Sequence, residues 1–232
     1  LIRIKDIKES LLYYFFPHCC AGCGSDLLNK ESELCLHCLH DLPHTHFEKY
    51  GGNPVEKMFR GRINIEYGSA SFYFSKDSPV QHILHQLKYK GNLKLGIQSG
   101  RIMGTLIKQA ARTMPDVLVP LPLYPKKEKQ RGYNQSILLC KGIAEVLALP
   151  VIDKAVIRPH HTETQTKKGR IDRWLNMEGK FLLKHPSMIK NKHVLLVDDV
   201  ITTGATLEAC GEEILKAEGA LLSVASFAVA NK

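Results

Sequence analysis

His193-Val-Leu-Leu-Val-Asp-Asp-Val-Ile-Thr-Thr-Gly-Ala-Thr-Leu-Glu-Ala-Cys-Gly211 joins four parts with different chemistry. Val194–Val197 is a short, valine-rich apolar run, the pattern of a strand buried on both faces of a parallel sheet. Asp198 and Asp199 follow it, at what reads as the strand's carboxyl end, the edge where open α/β sheets bind ligands. Thr202-Thr203-Gly204-Ala205-Thr206 comes next, then a helical pattern with Leu207, Ile214 and Leu215 as apolar positions. A helix N-terminus leaves backbone N–H groups unpaired and carries the positive end of the dipole, so it suits a phosphate. Gly204 lets the backbone turn closely around that phosphate, and the threonine hydroxyls add donors. The aspartates repel phosphate but accept hydrogen bonds from sugar hydroxyls, or face a divalent cation. The plainer alternative is an Asp-Asp turn before an ordinary helix, with Thr203 as its N-cap.

A diol beside a 5′-phosphate describes a ribose phosphate. The segment closely resembles the phosphoribosyl pyrophosphate (PRPP) signature of type I phosphoribosyltransferases: apolar run, two acids, two apolar residues, then Thr-Thr-Gly-x-Thr.

The rest of the chain bounds this reading. Its 232 residues suit one ordinary domain plus something small, or two domains. Hydrophobic residues make up 44% of the chain, enough for a packed core and too many for a disordered one. The formal net charge of +9 favours anionic partners, phosphorylated substrates or nucleic acid. No apolar stretch is long enough to span a bilayer, and Leu11–Phe16 is too short and bulky for a signal peptide. The expectation is a cytoplasmic protein without membrane insertion, in which seven cysteines point to metal before disulfides.

Residues 1–16 have near-helical apolar spacing and read as a short amphipathic helix. After it come Cys20-Ala-Gly-Cys23 and Cys35-Leu-His-Cys38, two Cys-x-x-Cys knuckles whose four thiolates suit a tetrahedral, structural zinc. Cys19, His18, His37 and His40 lie close enough in sequence to compete as ligands. A redox-active pair or a disulfide knot is the alternative. Ile65–Ser75 reads as a strand. Ser78-Pro79-Val80-Gln81 is a helix start, with Ser78 as N-cap, and the helix runs to the basic turn Lys88-Tyr89-Lys90-Gly91. A second helix is expected over about Asn92–Arg112. From Asp116 onward strands and helices alternate: Val117–Leu121, Asn134–Leu147, Val151–Arg158, Phe181–Leu183, Val194–Val197 and Leu221–Val229. Alternation of this kind argues an α/β fold, a parallel sheet covered on both faces. The boundaries expected are a helix and zinc module over 1–43, connecting strands and helices over 44–100, and the main domain over 101–232.

Two loops are expected beside the sheet. One leads from Val119-Pro120-Leu121-Pro122-Leu123 into the basic run Tyr124–Gln135, which contains Lys126, Lys127, Lys129 and Arg131. The other is Arg158–Asn176, rich in hydroxyls and cations, including Thr164, Gln165, Thr166, Lys167, Lys168, Arg170 and Arg173. The same basic surface, with Tyr124 and Tyr133 to stack on bases, would also suit single-stranded DNA.

Taken together, the Cys₄ knuckles, Leu87–Gly91, Val119–Pro122, Arg131-Gly-Tyr-Asn-Gln135, Thr164-Gln-Thr166 with Arg170 and Arg173, and the Asp-Asp signature resemble the ComF/GntX-type family of phosphoribosyltransferase-like proteins. The resemblance covers nearly the whole chain. It implies a type I phosphoribosyltransferase core, a parallel sheet of about five strands with flanking helices, beside a small N-terminal Cys₄ zinc ribbon. It implies PRPP binding by Asp198, Asp199, Thr202, Thr203, Gly204, Ala205 and Thr206, with Pro122, Leu123 and Arg131 toward pyrophosphate. Mg²⁺ would accompany PRPP. Asp198, Asp199, Lys167 and Arg170 would carry the chemistry, the last two from a catalytic loop over 158–173. Some members of that family are linked to DNA uptake during natural competence, so an accessory nucleic-acid-binding protein is the competing expectation, and a zinc-held scaffold a third. In hypoxanthine-guanine transferases an aspartate precedes the Thr-Gly pair. Here that slot is Thr202, so purine salvage is not expected and the acceptor is open.

Overall fold

The computed structural model describes residues 18–26, 28–29, 31–110, 112–159 and 181–230. The expected helix over 1–16 and most of the 158–176 loop, Lys167 and Arg170 among it, lie outside the described residues.

Described helices and strands are, in order, α1 (Leu36–Asp41), α2 (Pro54–Phe59), β1 (Gly68–Phe74), α3 (Pro79–Tyr89), α4 (Leu93–Gln109), β2 (Val117–Pro120), α5 (Pro125–Arg131), α6 (Gln135–Leu147), β3 (Val156–Ile157), β4 (Leu182–Leu183), β5 (His193–Ile201), α7 (Ala205–Ile214) and β6 (Leu221–Ala230). β1, β6, β5 and β2 form, in that order, a fully parallel sheet. Beyond β2, Val151 makes a single parallel bridge to Leu118, with hydrogen bonds at 2.9 and 2.8 Å on either side. This is a rudimentary fifth position. The rest of the expected 151–158 extension departs from the sheet. Val156–Ile157 instead pairs antiparallel with Leu182–Leu183 as a separate ribbon.

β5 shows why the sheet is buried on both faces. Leu195 and Val197 join one apolar cluster with α3, α4 and α6, while Val194 and Leu196 join a second with α2 and α7. That is the two-residue period of a strand between layers. β1 hydrogen-bonds along β6 from Gly68 to Phe74, so the segment before residue 100 supplies an edge of the same sheet.

The helix signals act locally as expected. Ser78 Oγ accepts from Gln81 N–H at 3.2 Å, Pro79 takes the first position, and Val80, Ile83, Leu84 and Leu87 are buried. Gln81 reaches back to the N–H of Asp77, one residue before the cap. Asn92 and Asn134 cap α4 and α6 in the same way. These two helices touch backbone to backbone. A Cβ on Gly142 would lie 2.1 Å from Ile97 O, and one on Gly100 would lie 2.2 Å from Leu139 O.

Two expectations change. The basic run after Tyr124 is not a loop but the helix α5, with Pro125 at its start and Gly132 closing it at φ 84°. All-round charge hides the apolar period of such a helix, and its stability comes from its end residues and helix-forming Lys, Glu, Gln and Arg. α2, capped by Asn53 and opened by Pro54, is one of the connecting elements within 44–100. Finally, β5 does not stop before the acids. Its ladder with β6 continues through Asp198↔Ser226 and Val200↔Ala228 to Ile201↔Val229, so both aspartates are strand residues.

Candidate functional site

Because β5 continues past them, Asp198 and Asp199 are nearly enclosed, at 9% and 3% exposure. Asp198 Oδ1 accepts from Ser136 Oγ at 3.2 Å and from the N–H of Asp199 at 2.8 Å. Asp199 Oδ2 faces Nζ of Lys88, in the last turn of α3, at 3.0 Å. Burial, and then the neighbouring Asp199 charge, push the Asp198 carboxyl up to about 7, against the N–H of Asp199, Lys88 and Ser136.

The chain leaves β5 into exposed Thr202 and Thr203, turns at Gly204 (φ 77°), and enters α7 with Ala205 and Thr206 exposed in its first turn. Gly204, not Thr203, is the N-cap, and no side chain caps α7. The plain capping role for Thr203 is therefore not what is seen, although its Oγ1 accepts from Ala205 N–H at 3.4 Å. A Cβ at Gly204 would meet the Phe59 ring at 3.1 Å as well as needing the left-handed conformation. Arg62 braces the outside of this turn. It donates to Thr203 O at 3.2 Å and forms a two-nitrogen pair with Glu208 in the first turn of α7.

At the same edge, Leu121 N–H donates to Val197 O at 2.8 Å, carrying β2 pairing one residue further. Asn134 Nδ2 holds Leu121 O at 3.0 Å, and Pro122 and Leu123 follow half-buried. A cleft of about 400 Å³ opens beside Lys88, where Lys127, Arg131, Tyr89 and Tyr133 also line it. The Arg131 guanidinium lies 5.8 Å from the centre of the Tyr89 ring. Arg158, at the start of the segment that leads away, stacks against Phe181 at 5.2 Å and Tyr124 at 6.0 Å. Its Nε is buried with no hydrogen-bond partner.

The structure thus brings the Asp pair, the Thr-Gly turn, Pro122 and Leu123, and Arg131 to one edge of the sheet. Sequence reasoning assigned no role to Lys88, Ser136 or Arg62. Lys88 carried two signals, a cation in the last turn of a well-capped helix and a place in the Leu87–Gly91 stretch of the family resemblance, but neither says what it faces.

The four cysteines form a second centre. Cys20, Cys23, Cys35 and Cys38 place their sulfurs within 4.8 Å of one another. Tetrahedral Zn–S bonds of about 2.3 Å would space sulfurs by roughly 3.8 Å, and Cys23 Sγ and Cys35 Sγ are 3.7 Å apart. Burial opposes charge on Cys20, but N–H groups of Cys35, Cys23 and Gly22 directed at its sulfur outweigh it and bring the thiol down to about 6. Burial and the neighbouring sulfurs push Cys38 up. Four thiolates so close repel one another unless a cation lies between them, so the donor set fits a metal ion such as zinc. The module leans on α3 and α4. His82 Nδ1 meets Gly22 O at 2.8 Å, Gln86 Nε2 donates to Ala21 O at 3.3 Å, and Asn92 Nδ2 donates to Glu33 Oε2 at 2.8 Å.

Comparison with known proteins agrees with this arrangement. Residues 134–232 match the phosphoribosyl transferase domain family. The chain is 31% identical over 209 residues to DNA utilization protein YhgH of Escherichia coli (strain K12), covering 88% of this chain and 87% of that protein. It is 28% identical over 205 residues to competence protein F of Haemophilus influenzae, covering 85% and 84%. Among solved structures, the glutamine PRPP amidotransferase from B. subtilis aligns at TM-score 0.40 and 20% identity over 66% of this chain and 29% of that one, too loosely to bear on function. With a parallel sheet, a phosphoribosyl transferase domain match over residues 134–232 and a Cys₄ module, the chain belongs to the ComF-type family of phosphoribosyltransferase-like proteins.

Proposed function

We propose that the protein binds PRPP with Mg²⁺ and transfers its phosphoribosyl group to an acceptor nucleophile, releasing pyrophosphate. The observation that carries this is the buried Asp198–Asp199 pair directly before an exposed Thr-Thr-Gly-Ala-Thr turn at a helix N-terminus. The turn and the α7 N-terminus would receive the 5′-phosphate, and the aspartates the two ribose hydroxyls. Pro122, Leu123 and Arg131 stand toward the pyrophosphate end, with Lys167 and Arg170 proposed to join them.

In the reaction the bond from C1 of the ribose to pyrophosphate oxygen breaks, and pyrophosphate leaves with the electron pair. The acceptor's lone pair forms the new bond to C1, and the acceptor gives up its proton. Positive charge develops on the sugar in between, so the protein's work is to fix both ends and stabilise the departing anion. Asp198 and Asp199 would orient the sugar, and the cations would meet the leaving group. The residues fit Mg²⁺. Asp198 and Asp199 would hold the metal from this edge; the Lys88 ammonium lies 3.0 Å from Asp199 Oδ2, which otherwise has no hydrogen-bond partner. When bound it would supply positive charge to pyrophosphate.

The Cys₄ metal is proposed to be one structural zinc, since four protein ligands leave no open position. Reduced thiolates suit the cytoplasm, the compartment proposed. No helix among the described residues is long and apolar enough to cross a membrane.

A second reading is favoured by the names of the relatives, competence protein F and DNA utilization protein. Here the chain handles single-stranded DNA, with Lys126, Lys127 and Lys129 exposed on α5 and the PRPP site regulatory. Pyrophosphate release from PRPP, measured against a panel of nucleobase, amine and nucleic-acid acceptors, separates the two. Turnover with one acceptor supports the transferase. PRPP binding without turnover across the panel supports the regulatory site.

A further inference from the structure

The acidic pair poses an electrostatic problem that the proposed ligand makes worse. Two buried carboxylates lie beside the place where a polyphosphate must come to rest. Like charges in so enclosed a setting are costly unless a cation stands between them.

The protein already places a cation beside one of them. Lys88 Nζ is 3.0 Å from Asp199 Oδ2, with the lysine side chain 24% exposed and the aspartate side chain 5% exposed. The lysine is not loosely attached. Leu87 before it is fully buried, and Leu87 O accepts from Tyr133 Oη at 2.6 Å. On its open side Lys88 lines the same cleft as Lys127 and Arg131. One ammonium therefore borders both the carboxylates and the basic cleft. A divalent ion binding directly to Asp199 Oδ2 would have to sit beside this ammonium and be repelled by it.

We infer that Lys88 is a built-in cation at Asp199, bridging it to the pyrophosphate of the bound sugar, so that PRPP is held even before Mg²⁺ joins it. This rests on the proposed PRPP reading and adds a residue and a property to it. Lys88 is a binding residue for the anion, and the compact, rotatable ammonium suits a charge that must serve two neighbours. When the ribose hydroxyls donate to the aspartates, the ammonium stays within reach of Asp199 and turns its remaining donors to the anion.

Calorimetry of PRPP binding, in EDTA and in millimolar Mg²⁺, tests this on wild type, Lys88→Met and Lys88→Arg. Wild type is expected to bind PRPP in EDTA within about threefold of its affinity in Mg²⁺. Lys88→Met keeps the stem but removes the charge-assisted contact, and is expected to lose about tenfold or more in EDTA. Added Mg²⁺ should recover most of that loss. Lys88→Arg should stay near wild type in EDTA, and ribose 5-phosphate, which lacks pyrophosphate, should be less affected by Lys88→Met than PRPP. The inference is overturned if wild type binds PRPP only with Mg²⁺, or if Lys88→Met matches wild type in EDTA. Equal weakening with and without Mg²⁺ also overturns it, since that is the mark of a merely structural role. The wild-type arm needs no variant to fold. If wild type binds no PRPP under either condition, the PRPP reading itself falls and this inference with it. Binding by wild type that is indifferent to Lys88 removes the inference alone.

Discussion

Arg62 donates to the backbone carbonyl of Thr203 at 3.2 Å, although the two residues are 141 positions apart in the chain. The same guanidinium holds Glu208, so the phosphate turn is tied at its strand end and at its helix end by one side chain from the α2–β1 connection. The Phe59 ring lies against Gly204. The segment before the sheet thus fixes the shape of the turn that is proposed to receive the 5′-phosphate.

Arg62→Ala is expected to weaken PRPP binding about threefold to tenfold, the scale of one or two lost hydrogen bonds at a partly exposed position. Global stability should change little. A thermal melt together with PRPP calorimetry checks this. A large drop in melting temperature, or unchanged affinity, would show that the brace does not act on the turn.

Asp198 has a stability cost with a definite sign. Its folded-state carboxyl titrates near 7, raised first by burial and then by Asp199, against an ordinary value of 3.8. Between those values the folded chain holds a proton that the unfolded chain has released. Stability from this group is therefore present at low pH and is lost as pH rises from about 4 through about 7. Asp198→Asn should flatten that part of the pH–stability curve and melt higher than wild type at pH 8, at roughly 2–4 °C per kcal/mol for a chain of this size. Its PRPP affinity should fall. A variant that melts lower than wild type at pH 8 contradicts the assignment.

How far the sequence foretold this site depends on the range of each interaction. The Val194–Val197 strand, the Ser78-Pro79-Gln81 helix start and the paired Cys-x-x-Cys knuckles are local signals, and each appears where the pattern put it. β5 running on through Asp198 and Asp199 was hidden, because polar residues end an apolar pattern even where a neighbouring strand sustains the ladder. The helix α5 was hidden because a segment charged on every side has no period to read. Lys88 opposite Asp199, Ser136 on Asp198 and Arg62 on Thr203 depend on how distant elements pack, and no spacing within one segment announces them.

The Cys₄ module should hold one zinc per chain. Stripping it with a chelator should raise hydrogen exchange first over residues 18–43 and next in α3, where His82 and Gln86 rest on the Gly22 and Ala21 carbonyls. Metal analysis of protein never exposed to chelator gives the stoichiometry, and a value near zero defeats the zinc assignment. Exchange that rises uniformly over the chain would contradict the order of loss.

Single-stranded DNA should bind weakly and lose affinity as salt rises, with a slope of about 0.7 in log K per neutralised phosphate. Replacing Lys126, Lys127 and Lys129 together by alanine should lower that slope. All three are exposed on α5, and their loss should leave the core intact. Salt-independent binding, or a slope unchanged in the triple variant, places the nucleic-acid surface elsewhere.

Asp198 and Asp199 are proposed to read the ribose of PRPP. Because both are buried, the suitable variant is the isosteric Asp198→Asn/Asp199→Asn pair, which keeps volume and polarity. Each lost charge-assisted hydrogen bond costs about 1.5–3 kcal/mol. Calorimetry with PRPP in Mg²⁺ should therefore show the double variant binding roughly a hundredfold more weakly. A phosphomonoester without a ribose diol should be less affected. Equal affinity for PRPP in the two folded proteins, or no binding by wild type at millimolar PRPP, would contradict the account.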